Sequence, residues 1–241
     1  NGEDDSGLVH FFMYSSNSSN STEIKANLLY KEMNVPSGEN RTYNLTTLPV
    51  NPTSQGLVLL YHFDNDSKYE NDSYSYDWSG KNNNGTWNNT RYSSNGKFAY
   101  ATSFNGINSS IETRNILNPA STNFTAVAWV KAFDFSHLDT NNDVAVILQQ
   151  LDGVGTGRSW LQVQRIDSSL FSLTSLLGGE LTNATITNWN TVTNTWKHVA
   201  LVYDGNITLY IDGIKEASRG NTLESSTGTM RIGKHATPST I

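Results

Sequence analysis

The chain has 241 residues, a formal net charge of −6, 16% charged residues and no cysteine. Lys and Arg form no cluster, which argues against nucleic-acid binding through phosphate neutralisation. No apolar run reaches the roughly 20 residues of a membrane-spanning helix, and disulfides, thiolate catalysis and Cys-bound zinc are excluded outright.

Gly, Asn, Ser, Thr and Asp punctuate the chain at short intervals, as all-β chains require. LVHFFMY (8–14) reads as a strand and SSNSSNST as a low-complexity turn. EIKANLLYKEM (23–33) is ambiguous: Ile24, Ala26, Leu28 and Tyr30 alternate as in a strand, its propensities also suit a short helix, and the neighbouring strands favour β. RTYNLTTLPV (41–50) is a further strand and NPTSQ (51–55) a linker. Residues 1–55 are thus a small β-rich N-terminal segment with little core of its own. It packs on the main domain or is part of a neighbouring β-sandwich. No signal peptide is visible, a pattern that a mature fragment of an exported protein shares.

The main domain, 56–241, opens with LVLLYHF (57–63), apolar enough to be buried. Residues 64–95 read as one long polar loop, and loops of that length are commonly functional or flexible. FAYATSF and SSIET flank the Asn105-Gly106 turn, and FTAVAWV (124–130) puts Val127 and Trp129 on one face. VAVILQQ (144–150), SWLQVQRI (159–166), LFSLTSLL (170–177) and GTMRIGK (228–234) are further strands. The clearest signal is WKHVALVYDGNITLYIDGIKEAS (196–218), where Val199, Leu201 and Tyr203 alternate with His198, Ala200 and Val202. Asp204-Gly205 and Asp212-Gly213 break it into three antiparallel strands, because Asp-Gly tolerates the positive φ of a tight hairpin.

Trp, then His two residues on, then a Tyr-Asp-Gly exit resembles the late strands of laminin G-like, concanavalin A-like jelly rolls. GLVLLYHFDND (56–66) is similar to the opening strand of that family, DWSGKNNNGTW (77–87) to its D-x-S-G loop, GKFAYATSFNGINSSIET (96–113) to the next strand pair, and NFTAVAWVKA (123–132) to its F-T-x-x-A-W-V block. The blocks keep the family's order over 56–236. The resemblance implies an all-β, two-sheet antiparallel jelly-roll sandwich that serves as a module rather than a reaction centre. It also implies one more strand after GTMRIGK, paired near the opening strand, where this sequence has only HATPSTI. The slot is then filled by a strand outside this sequence, by fold-back of 8–14 or 41–50, or by a strand donated from another copy.

Jelly-roll hydrolases that cut glycans place two carboxylates on one strand. Here Glu70, Glu112, Glu180, Glu216 and Glu224 are isolated, and no G-x-S-x-G elbow is present, so an enzyme is not expected. The five histidines lack ligand spacing, and His198 is expected to pack beside Trp196. Calcium is the candidate cofactor, since Asp64, Asp66, Asp77 and Asn105 supply hard oxygens in loops. The alternative is that they only shape turns by bonding to backbone N–H groups. In the family this sequence resembles, such an ion also takes an Asp from the closing strand. For a sugar, alternation along 159–166 groups Trp160, Gln162 and Gln164 on one face, beside Gln150 and under Trp189. The alternative there is a rim aromatic covering the core edge.

Twelve Asn-x-Ser/Thr sequons occur, at Asn17, Asn20, Asn40, Asn44, Asn65, Asn71, Asn84, Asn88, Asn108, Asn123, Asn183 and Asn206. A chain so rich in Asn, Ser and Thr produces some by chance; many lie in predicted turns, where a glycan stays solvated. Sequons without cystines fit an archaeal cell-surface glycoprotein better than a eukaryotic ectodomain. The expectation is an extracellular recognition or adhesion module for a glycan or a surface protein. The alternative is a structural subunit of a glycosylated filament or surface layer, assembled by strand donation.

Overall fold

The computed structural model describes residues 11–16, 56–98, 100–133, 144–150, 158–167, 171–177, 180–184, 194–220, 222–223, 225–226 and 228–233. The strands expected at 23–33 and 41–50, the linker and Trp189 lie outside them. Apart from one 3-10 turn at Pro119–Ser121, the regular structure described is all β. In chain order the strands are β1 (Phe11–Ser16), β2 (Leu57–Tyr61), β3 (Tyr74–Ser75), β4 (Gly85–Asn88), β5 (Arg91–Ser93), β6 (Ala101–Ser103), β7 (Ser110–Thr113) and β8 (Asn123–Val130). There follow β9 (Val144–Gln150), β10 (Arg158–Arg165), β11 (Phe171–Leu177), β12 (Glu180–Ala184), β13 (Lys197–Tyr203), β14 (Asn206–Ile211), β15 (Ile214–Gly220) and β16 (Met230–Gly233).

They form two antiparallel sheets and a short hairpin. One sheet runs β15-β14-β13-β8-β1-β2, the other β12-β11-β10-β9-β16-β7-β4-β3, and β5 pairs with β6. Period-2 alternation drives the inner faces together. Val199, Leu201 and Tyr203 of β13, Ile207, Leu209 and Ile211 of β14, and Phe124, Ala126 and Ala128 of β8 meet Ile111, Leu148, Leu161, Val163, Leu173, Met230 and Ile232 of the second sheet in one core. The Asp-Gly turns form as expected: Asp212 and Gly213 have φ of 50° and 81°, and Gly205 has 100°.

The stretch expected as a single loop over 64–95 contains β3, β4 and β5. Strands of two to four polar residues have no periodicity to read. What fixes β4 is close approach: a Cβ at Gly85 would meet Ile111 Cγ2 at 2.5 Å and the Tyr61 hydroxyl at 2.9 Å. Likewise β12 falls in a stretch that the sequence does not mark as a strand.

The opening strand β2 is covered along both edges. On one side β1 lies antiparallel between it and β8, with Phe11 opposite Tyr61, Tyr14 opposite Leu57, Phe12 opposite Val127 and Ser16 opposite Asn123. On the other side no strand among the described residues pairs with it. There Trp78 N donates to Leu60 O (2.9 Å), Leu60 N to Asp77 Oδ1 (3.0 Å) and Asn83 Nδ2 to Val58 O (2.6 Å). The loop after β2 thus doubles back as a substitute strand and satisfies an edge that would otherwise be open.

Candidate functional site

That loop is held by one carboxylate. Asp77 is 2% exposed. Its Oδ1 accepts from Leu60 N (3.0 Å) and Ser79 N (2.9 Å), and its Oδ2 from Ser79 Oγ (2.8 Å) and Asn83 N (2.8 Å). Asn83 in turn takes the Tyr61 hydroxyl (2.5 Å) and Thr113 Oγ1 (2.9 Å) on its carbonyl, so the knot reaches both sheets. The D-x-S-G sequence is therefore a fastening: the acid supplies acceptors, the Ser a donor two residues on, and Gly80 the positive φ (77°) that turns the chain back.

On this fastened loop four aromatic rings meet, all half-buried. His62 stacks on Trp78 (centroids 5.1 Å, planes 6° apart), while Tyr69 and Tyr76 touch Trp78 edge-on at 4.8 and 5.1 Å. Tyr69 and Tyr76 lie 5.2 Å apart, and Lys68 Nζ sits 4.8 Å over the Tyr69 ring. Burial lowers the His62 pKa, with Asp64 opposing, so at neutral pH the ring is an uncharged stacking partner.

Behind the rings lies a carboxyl pair. The turn in which Asp66 O accepts from Tyr69 N (2.9 Å) and Glu70 N (2.7 Å) brings Glu70 back to Asp64. Glu70 is 4% exposed, takes the Tyr92 hydroxyl on Oε2 (3.1 Å), and lies within hydrogen-bonding reach of Asp64. Its Oε1 and Asp64 Oδ1 are buried without a donor among the described residues, and the Asn65 N–H draws on the Glu70 carboxylate in the opposite sense to Asp64. Burial, then the hydrogen bond and charge of Asp64, push the Glu70 carboxyl up to about 7. Glu70 therefore keeps its proton up to about neutral pH. Burial pushes the Tyr92 phenol up as well, so it stays a donor. His62 Nδ1, 3.8 Å from Asp64 Oδ2, joins the pair to the ring cluster.

The sugar face expected on β10 does not form. The ladder to β9 is irregular between Ser159 and Leu161 and between Leu161 and Gln162, which breaks the alternation on which the face assignment rested. Trp160 has no exposed surface and lies in the core with its ring centroid 4.4 Å from that of Phe124. Gln162 and Gln164 are buried, on the face shared with Thr174 and Ser172. Gln150 pairs opposite the core residue Met230 and donates to Leu117 O (3.1 Å) and Gly228 O (3.4 Å). It anchors a loop rather than joining the other glutamines.

Three of the four residues expected as calcium ligands already hold backbone donors. Both Asp77 oxygens are taken by the donors above, Asp66 Oδ1 accepts from Lys68 N (2.9 Å), and Asn105 Oδ1 accepts from Ile107, Asn108 and Ser109 N (2.9–3.1 Å). Among the described residues no three His, Cys, Asp or Glu side chains are grouped to hold a metal. Asp66, Asp77 and Asn105 shape turns in this way, whereas Asp64 lies beside Glu70 and His62. His198 packs its ring edge-on against Trp129 at 5.3 Å.

The ring cluster was missed because 64–95 has no period. The signal was present in composition: Tyr69, Tyr74, Tyr76 and Trp78 crowd one polar loop.

A profile of the concanavalin A-like lectin/glucanases superfamily matches residues 104–240. Comparison with curated proteins gives no match. Among solved structures, the binding domain of Paraclostridial Mosquitocidal Protein 1 is similar at a TM-score of 0.53 and 17% identity, over 70% of this chain and 44% of that one. The botulinum neurotoxin serotype C1 binding domain (0.46, 14%, 71% of this chain and 42% of that one) and a Bacillus licheniformis beta-glucanase (0.36, 10%, 68% and 70%) are fainter likenesses. The chain spans less than half of the length of the two binding domains. No helix among the described residues is long and apolar enough to cross a membrane. The jelly-roll sandwich and a profile match over more than half of the chain agree, and the chain belongs to the concanavalin A-like lectin/glucanase superfamily.

Proposed function

We propose that this chain is a non-catalytic, extracellular recognition module that binds carbohydrate on the ring cluster His62–Tyr69–Tyr76–Trp78. The observation that carries the reading is the cluster itself: four half-exposed rings in mutual contact on a loop held by a saturated carboxylate. Aromatic faces stack on the C–H faces of sugar rings, and a platform whose backbone is already fixed loses little entropy on binding. Asp64, Asn65, Asp66 and Asn71 at its border offer acceptors and donors for hydroxyls.

The Asp64–Glu70 pair does not turn this site into a glycosidase. A retaining pair stands about 5–5.5 Å apart with the sugar between. These two carboxyls reach each other, and Glu70 is buried. An extracellular setting is supported by exposed sequons at Asn65, Asn71, Asn88, Asn108 and Asn206. Asn84 and Asn123 are half-buried, and the Asn84 amide accepts from Asp77 N (2.8 Å) and donates to Asn82 (2.7 Å). Intact mass of native material should exceed the bare chain by several glycans; the bare mass would remove the support for that setting.

The direct test is a glycan array run with the unaltered chain, Trp78→Ala and His62→Ala. Binding weakened at least about tenfold by Trp78→Ala, the scale of one lost stacking contact, is expected. Binding that survives both substitutions, or none from the unaltered chain, would overturn the reading.

A further inference from the structure

β1 is held by two antiparallel ladders and is the strand through which β2 joins its sheet. Ser16, at its end, lies opposite Asn123, and Tyr14 lies opposite Leu57, the first residue of β2. The exit of β1 and the entry of β2 are therefore neighbours at one end of the sheet. A hairpin there needs about two to five residues. The chain spends forty, 17–56, on a gap of one strand spacing.

We propose that β1 is exchangeable between copies: Phe11–Ser16 of one chain occupies the place between β2 and β8 of a second copy. The exchanged strand makes the same main-chain bonds to the same buried walls, Leu57, Leu59 and Tyr61 on one side and Phe124 and Ala126 on the other. Own strand and foreign strand then differ only in supply. Closing forty residues across one strand spacing costs more entropy than closing a short hairpin, so the effective concentration of the chain's own strand is about a millimolar or less. A second copy competes once chains are crowded to that level, as neighbours in a surface array are. Strand exchange of this kind closes no new interface and needs no new complementarity. The ladder irregularity between Met13 and Tyr14 eases release, because bonding to β2 is interrupted in mid-strand.

The chain has no cysteine, so introduced thiols report without background. Ser16 and Asn123 face each other at the strand ends, within reach of a disulfide. In the double variant Ser16→Cys/Asn123→Cys at high dilution, the disulfide should form within one chain. A chain with Ser16→Cys alone, refolded with a chain carrying Asn123→Cys alone at about millimolar concentration, should give a covalent heterodimer. Its yield should exceed several-fold that of Ser16→Cys mixed with Lys215→Cys, an exposed position on the far edge strand β15. The pair Tyr14→Cys and Thr125→Cys repeats the measurement at a second register position, should the first variants fold poorly. No excess of heterodimer over the control at either pair overturns the exchange. Failure of the double variants to close within a chain would remove its premise.

Discussion

Two tryptophans set among polar neighbours have opposite fates. Trp160 stands on a strand, between Ser159 and Leu161 with Gln162 two residues on, and alternation makes it look like a surface platform. Trp78 stands in a loop, between Asp77 and Ser79, and looks like punctuation. Trp160 is fully buried against Phe124, whereas Trp78 is half-exposed at the centre of four rings. The difference lies in what holds each backbone. A ladder irregularity redirects Trp160 by one face, and a single slip is enough in a structure of period two. Trp78 has no ladder; the Asp77 carboxylate holds its peptide, and the ring goes where the loop leaves it. Alternation predicts faces only where the ladder is regular.

The contrast breaks most visibly in stability. Trp160→Ala removes a core ring that fills the space between the sheets and should cost about 3–5 kcal/mol in denaturant unfolding. Trp78→Ala gives up a half-exposed ring and should cost about 1 kcal/mol or less while removing the proposed binding. Equal costs for the two would mean that the rings are not differently placed.

Next in size is the fastening. Asp77→Ala leaves four donors without their acceptor. Water will reach some, and one or two left dry cost about 3 kcal/mol together. Asp77→Asn should recover part of this, because one oxygen remains to accept while the new amide hydrogens face Ser79 and Asn83 as donors. Hydrogen exchange at the Leu60 and Asn83 amides is the local readout. Unchanged protection there would show that the carboxylate does not hold the loop.

How much of this was legible follows the same line. The β13–β15 meander could be read residue by residue, because alternation and Asp-Gly turns are local and each implies the other. The sandwich and the D-x-S-G loop were legible as resemblance, although the role of Asp77 was not: a carboxylate in a polar loop looks the same whether it binds an ion or four backbone and hydroxyl donors. β4 was hidden because its determinant, the space beside Ile111 and Tyr61 that admits only Gly85, lies 24–26 residues away in sequence. Glu70 looked isolated for a related reason. Its partner Asp64 is brought back by a turn whose hydrogen bonds run between backbone groups, which carry no sequence signature. Composition did mark the region, and it marked it as a loop.

The smallest effect is the most diagnostic of that turn. Glu70 holds its proton to about pH 7 in the folded chain, against an ordinary value of 4.5. Between those values the folded state binds the proton that the unfolded state has released, so stability falls as pH rises from about 4.5 to about 7 and is level above. The groups facing Glu70 are Asp64, the Tyr92 hydroxyl and the Asn65 N–H, with His62 beside Asp64 and Asp72 acting on Tyr92 from further off. His62 works in the opposite sense. Its lowered pKa costs stability as pH falls below about 6.5, and so does that of His198. Glu70→Gln separates the two contributions, because the amide is neutral at every pH and can donate to Asp64 as the protonated acid does. The histidine contribution remains in both proteins and cancels in their difference. Relative to Glu70→Gln, the unaltered chain should lose about 2 kcal/mol between pH 5 and pH 7.5, less than the full shift implies because water and side-chain relaxation soften a buried pair. Parallel unfolding midpoints across that range would mean that Glu70 does not keep its proton up to about neutral pH, and that the turn from Asp66 to Glu70 does not bring the two carboxyls together.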